Sequence, residues 1–407
     1  MNTLLAIGIR NVNRNRRRSG LTVAGIAFAI WLVGVSAALQ DGSYRLQRQT
    51  ATDLMTGHVQ LSHPEWPARP GVEQLISDVA RLTQRIEGVP GIEAVFPRMQ
   101  FFGMAAVAEN SVAVQVLGLE FSREEGHTTL IRRISEGRTP TAVDEALIGA
   151  ALARNLDAHV GDEVAILASD PSGAMAAMSV RISGLLQTGV ADLDRLFVLV
   201  PYAAAADSLG MQDQAHLLVV RGGRPETSPD LAACIRSEVP QSILVRPWQA
   251  VMPEIEEAIE LDRLGGYPFY GVILFLVTFS VANTFVMVVF ERIREFGMLR
   301  SLGMQPLGII GLLQIESMVL WLAGAVVGLL LLVISVSVMA TVGIPLGERL
   351  EATLTQMYMP TRIYAAFSPR AFLIAPLVLL FTTQLAAFLP ALRIRHIQPA
   401  HAMRMGA

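Results

Sequence analysis

The sequence contains no lysine: all 32 basic residues are arginine. Without lysine the phosphate-binding loop G-x-x-x-x-G-K-[ST] cannot be written, so if ATP drives this protein another chain binds it. One cysteine, Cys234, is the whole thiol content, which excludes an internal disulfide framework. Charge is scarce as well. Asp, Glu, Lys and Arg make up 16% of 407 residues, where soluble domains carry about 25%. A net charge of −3 gives a nucleic acid nothing to bind. No Ser-His-Asp arrangement and no paired acids stand out. His58 and His63 lie near Glu65, but no third clustered ligand accompanies the two histidines. No catalytic, cofactor-binding or metal site is therefore expected in this chain.

Apolar residues are what the sequence has in excess, at 52%. A bilayer core about 30 Å thick needs about 20 apolar residues in a helix. Ser19–Gln40, Leu264–Phe290 and Ala371–Leu392 carry no charge, and Ser301–Gly347 carries only Glu316. The last of these is too long for one span and predicts a helix over about 308–341. Transmembrane helices are thus expected at 19–40, 264–290, 308–341 and 371–392. Arginines crowd three segments: Arg10, Arg14, Arg16, Arg17 and Arg18; then Arg292, Arg294 and Arg300; then Arg393, Arg395 and Arg404. Basic loops stay inside, so both termini and the 291–307 loop are expected in the cytoplasm, and 41–263 and 342–370 outside. A cleaved signal peptide fits less well, because the apolar run is too long for an h-region. Residues 1–18 read equally as an interfacial amphipathic helix and as a solvated leader, and 393–407 as a cytoplasmic tail.

The 41–263 segment alternates strands and helices. Val112–Val114–Val116 has the period of a half-buried strand, and Val164–Leu167, Val180–Ile182 and Leu196–Val200 read the same way. Val72–Ile86 has helical spacing, and Ser228 is a plausible cap for a helix over Asp230–Glu238. Two Val-Pro turns, Val89–Pro90 and Val239–Pro240, each follow a helix and lead into a strand. Two such units predict one α+β subdomain from 41–110 with 205–263, and 111–204 as an inserted β-rich subdomain. The fold class expected is an α-helical membrane protein with four transmembrane helices and a large α+β extracytoplasmic domain between the first and second.

Glu291–Met304 is amphipathic, with Phe296, Met298, Leu299 and Leu302 among charges. It can lie on the membrane surface, insert into a groove on a cytoplasmic partner, or serve as a plain interfacial turn. Glu316 stands about two turns inside the third span, where a carboxylate is costly and faces the bundle interior. A structural hydrogen bond and a proton or substrate relay are both open. Gly324 and Gly328 form G-x-x-x-G, which permits close helix approach, and Asn283 can bond across helices.

In its order of spans and domain the chain resembles the MacB/LolC/LolE/FtsX permeases, the type VII ABC transporters. Asn283–Thr284 and Glu291–Gly303 are similar to that family's coupling segment, Glu316–Ser317 to its acidic position in the third span, and Pro390–Ala391, Ile397–Ala400 and Ala402–Arg404 to its C-terminus. Gly137–Pro140, Asp144–Gly149 and Val160–Asp162 are similar to its β-rich subdomain. The resemblance implies an inner-membrane permease with its large domain in the periplasm. ATP and Mg would be bound by a separate dimeric ATPase, reached through Arg292, Arg294, Glu295, Phe296, Gly297, Met298, Leu299 and Arg300. It also implies a second permease copy or paralogue, a periplasmic carrier or adaptor, and a lipid or lipoprotein substrate pushed from the periplasmic side. Lipoprotein release fits the split ATPase and the domain size. MacB-like efflux with a fusion adaptor and an FtsX-like signal relay are the alternatives. The LolC hairpin that engages a carrier corresponds here to Ser169–Met178, which is short.

Overall fold

The structure, a computed structural model, describes residue 10 and residues 14–345 and 362–392. Most of the expected interfacial helix, the middle of the 342–370 loop and the tail 393–407 fall outside the described residues. The chain divides into two compact units; among the described residues one draws on 14–45, 259–344 and 362–392, the other on 46–258.

The first unit is built from long apolar helices. Among the described residues four helices are long and apolar enough to cross a membrane: Arg16–Ala51, Pro253–Glu291, Pro306–Val342 and Pro369–Leu392. Each overlaps one of the expected spans, but the first two overrun theirs by many residues. At 1.5 Å per residue, a helix of 36 residues is about 54 Å long, well beyond a hydrocarbon core of about 30 Å. The charged residues beyond Gln40 and before Leu264 do not stop either helix. A helix satisfies its own backbone whatever its side chains, so hydropathy marks where a span meets lipid and not where it ends. Ile26, Ile30 and Val33 share one face and pack with Phe285, Leu313, Leu332, Leu379 and Ala387 in one core. Polar groups inside it find partners: the Trp31 indole donates to Ser335 Oγ at 2.9 Å, and Trp321 to the Pro376 carbonyl at 3.1 Å.

The second unit is an α+β domain. Strand Val59–Ser62 lies between Leu217–Arg221 and Leu244–Pro247, antiparallel to both. Leu217–Arg221 also pairs with Ala94–Arg98, the opening of the long strand Ala94–Val107. Helices Val79–Glu87 and Ser228–Glu238 cover this part, and Leu61, Ile86, Val95, Leu218, Ile235 and Val245 fill its core. The order is β-α-β, a long insertion, then β-α-β, and the strands of both units lie in one sheet. From Met99 onward the long strand changes partners to Asn110–Leu119 and Glu163–Ser169. Phe197–Pro201, Glu145–Gly149 and Met175–Leu186 continue that sheet, over a core of Phe101, Val116, Ile148, Ile166, Ile182 and Val198. The strands read from alternation lie within these elements, except that Leu196 closes a short helix.

Two local expectations are corrected. Only Val79–Glu87 of the 72–86 stretch is helical, because Asp78 turns left-handed (φ 56°) and Ile76–Ser77 instead pairs with Gln214–Ala215. The Asp213 carboxylate accepts the Ala80 N–H at 2.8 Å, supplying from a distant loop the cap that local sequence lacks. Ser228 is the first residue of its helix and not the cap; a short turn, Pro225–Thr227, precedes it.

Candidate functional site

Glu291, Arg292 and Glu295 meet Arg14, Arg18 and Glu316 in one cluster. Helix Ile293–Ser301 follows the second long helix after a break at Arg292. Arg292 holds the corner. It donates to Glu295 Oε2 at 2.6 Å and to Glu316 Oε1 at 2.9 Å, with its guanidinium over the Phe296 ring at 5.4 Å. Glu295 also takes Arg14 at 2.8 Å, while Arg18 grips Glu291 through two bonds of 2.7 and 2.6 Å. A cleft of about 250 Å³ opens among these side chains, with Thr284 and Leu320 in its wall. The side chain of Glu316 is 7% exposed, and its carboxylate lies against a guanidinium. A buried carboxylate so paired is held in place.

The short helix has two faces. Phe296 and Gly297 are buried in the chain's own bundle, and Leu299 packs partly against it. Arg294, Met298, Ser301 and Leu302 are exposed, Met298 at 54% and Leu302 at 78%. Met298 and Leu302 stand four residues apart, so they share one side of the helix. Arg300 is part-buried. Sequence reasoning grouped Phe296 with Met298 because amphipathicity does not say which apolar residue turns home.

Gly324 and Gly328 sit against the first long helix. A Cβ on Gly324 would lie 2.6 Å from Ile26 Cγ2, and one on Gly328 2.8 Å from the Ala27 carbonyl oxygen. Only glycine allows this approach. Asn283 is placed differently from the expectation: it lies on the exposed side of the second long helix, not among the helices. The faces of that helix are decided by Leu274, Val281, Phe285 and Val289, a spacing that turns position 283 outward.

The histidines considered as metal ligands are occupied elsewhere. The buried His58 accepts the Gly222 N–H on Nδ1 at 3.0 Å; burial, with Arg221 beside it, lowers its pKa. His63 accepts the Glu65 N–H at 3.3 Å. Among the described residues no group of three His, Cys, Asp or Glu could hold a metal. His216, which sequence reasoning passed over, is fully buried, accepts the Gln100 N–H at 3.1 Å and lies tilted against the Trp66 ring, 5.0 Å between centroids. Burial holds its pKa at about 4.

The root of the soluble domain is the second polar cluster, and it too was missed. Arg98, 3% exposed, makes two bonds of 2.9 and 2.7 Å to Glu124, which is wholly buried, and donates to the Met55 carbonyl at 2.6 Å. The only signal in the sequence is an arginine inside the apolar run Ala94–Phe102.

The profile of the FtsX-like permease C-terminal family matches residues 268–399, and that of the MacB-like periplasmic core domain matches residues 19–238, more than half of the chain. The lipoprotein-releasing system transmembrane protein LolC of Neisseria meningitidis is 23% identical over 80% of this chain and 81% of its own. LolE of Haemophilus influenzae is 22% identical over 69% and 68%. The periplasmic region of MacB from Actinobacillus actinomycetemcomitans is 14% identical, with a TM-score of 0.35 over 49% of this chain and 94% of that one.

Proposed function

The chain belongs to the family of FtsX-like permeases with a MacB-like periplasmic core domain, and from that premise we propose that it is the permease subunit of an ABC transporter that works on lipoproteins. Its relatives are ABC transporter permeases, not enzymes in their own right. The ATPase is a separate chain, bound as a dimer, and carries the ATP and Mg. It docks on the exposed face made by Arg294, Met298 and Leu302, which is the observation that carries this reading. That face lies on a helix whose other side is locked by Phe296, Arg292 and Glu316. A push on it therefore moves the bundle and is not absorbed by a flexible loop. Both termini lie in the cytoplasm of an inner-membrane protein, and the 41–263 domain faces the periplasm, where a second permease copy or paralogue completes the machine. Lipoprotein release is favoured by the LolC and LolE relatives. The MacB-like match favours a second reading, export with a periplasmic adaptor. Glu316 serves here as a structural anchor for Arg292.

Met298→Asp with Leu302→Asp tests the docking face without touching the core. The double variant is expected to insert normally and to retain less than a tenth of the copurifying ATPase. Full retention of the ATPase would overturn the assignment.

A further inference from the structure

The first long helix does not end in solvent. It widens into a π-helical turn, Thr52–Thr56, closed by the Gly57 N–H donating to the Thr52 carbonyl at 3.0 Å, and the carbonyls of Asp53 and Met55 are left to groups from outside the turn. The soluble domain supplies the partners. Asp53 O accepts the Thr129 N–H at 3.0 Å and the Thr128 hydroxyl at 2.7 Å. Arg221 reaches the Asp53 carboxylate at 2.5 Å. Met55 O accepts from Arg98 at 2.6 Å. Gly57, at φ 61°, then turns the chain so closely under Val219 that a Cβ would lie 2.5 Å from its side chain.

Arg98 occupies a particular place in the sheet. It is the last residue of its strand paired to Leu217–Arg221; Met99 is the first paired to Asn110–Leu119. The two halves of the sheet therefore meet at the residue that holds the helix end. Among the described residues its ion-pair partner is Glu124, in the short helix Phe121–Glu124 that follows strand Asn110–Leu119. One guanidinium thus ties together a helix end, a strand at its change of partners and the segment that leaves the next strand. A buried ion pair is a poor stabiliser compared with well-packed apolar residues, whereas its fixed fork geometry orients three elements at once.

We propose that Arg98, set by Glu124, is the positioning residue through which movement of the helix Arg16–Ala51 enters the soluble domain, delivered where the two halves of its sheet join. This rests on the permease reading only for the source of the movement. The rigid graft itself is independent of it.

The experiment uses the full-length chain in lipid nanodiscs with its copurifying ATPase, Cys234→Ser, and spin labels at Gln49→Cys and Ser111→Cys, both exposed. Two variants are compared with this parent. Arg98→Met with Glu124→Met keeps the site filled and removes the charges. Arg98→Lys keeps the charge opposite Glu124 and gives up the fork. Both are expected to unfold within a few degrees of the parent and to broaden the label-to-label distance distribution at least two-fold, with or without nucleotide. Addition of ADP and vanadate is expected to shift the parent's distance and to leave the variants' distributions unshifted. Distributions as narrow as the parent's in both variants would overturn the graft. A parent that does not respond to nucleotide while the variants still broaden would count against the permease reading and leave the graft standing.

Discussion

The first long helix is held by charge at both ends, and the two ends are held differently. At its start, Arg14 and Arg18 pair with Glu295 and Glu291; the Arg14 side chain is 72% exposed, and Arg18 and Glu291 are 24% and 49%. At its finish, the Met55 carbonyl is held by a guanidinium that is 3% exposed and locked by a wholly buried carboxylate. Exposed pairs lose their strength to water and salt, while buried pairs cannot part without leaving a charge stranded. The helix is therefore held by exposed, screenable pairs at its start and by a buried pair at its finish, the contrast that the proposed transmission calls for.

The largest test of that contrast removes one member of the buried pair. Glu124→Ala strands Arg98 in an apolar site and is expected to destabilise the soluble domain by about 3–5 kcal/mol, read from urea unfolding of the full chain. A cost below about 1 kcal/mol would show that water reaches the site and that the buried end is not stiff. A smaller effect comes from pH. His216 titrates near pH 6.5 when unfolded and at about 4 when folded. Its depressed pKa means that stability is complete above pH 6.5 and is lost as pH falls toward 4, by roughly 3 kcal/mol at most, and His58 shifts in the same direction. Protonation also removes the acceptor of the Gln100 N–H, so His216→Gln should flatten the decline followed by Trp fluorescence. An unchanged slope in that variant would show that His216 is not the titrating group.

Within the bundle, Gly328→Ala places a methyl group against the Ala27 carbonyl and should lower the thermal midpoint in detergent by the equivalent of about 1–3 kcal/mol. Gly25, with open space around its Cβ position, is the matched control and should tolerate alanine. The smallest effect is expected at the exposed end. Arg18→Gln should cost no more than about 1 kcal/mol, and that cost should vanish at high salt. A large, salt-independent loss there would erase the distinction between the two ends.

What the sequence made legible follows from range. Spans and strands are written in local periodicity, and the apolar runs located the four long helices among the described residues and several of the strands, but not Val59–Ser62 or Leu217–Arg221. The G-x-x-x-G pair was visible because four residues make one turn. The failures were non-local. Asp213 caps the helix that begins at Val79, and nothing near Val72 announces it. Asn283 was placed inward for its chemistry, whereas the phase of Val281 and Phe285 sets it outward. Phe296 and Met298 look alike in an amphipathic stretch, and only the fold separates the buried residue from the exposed one. Arg98 and Glu124 stand 26 residues apart in elements of different kind, so no spacing rule could join them.

The central claim is that a push on the short helix Ile293–Ser301 reaches the strand Ala94–Val107. Hydrogen exchange of that strand in the assembled complex, with and without ATP, tests it most directly. The account expects nucleotide to change protection around Arg98 in the parent and to have no effect in Met298→Asp with Leu302→Asp. Identical exchange in the parent with and without ATP would contradict it.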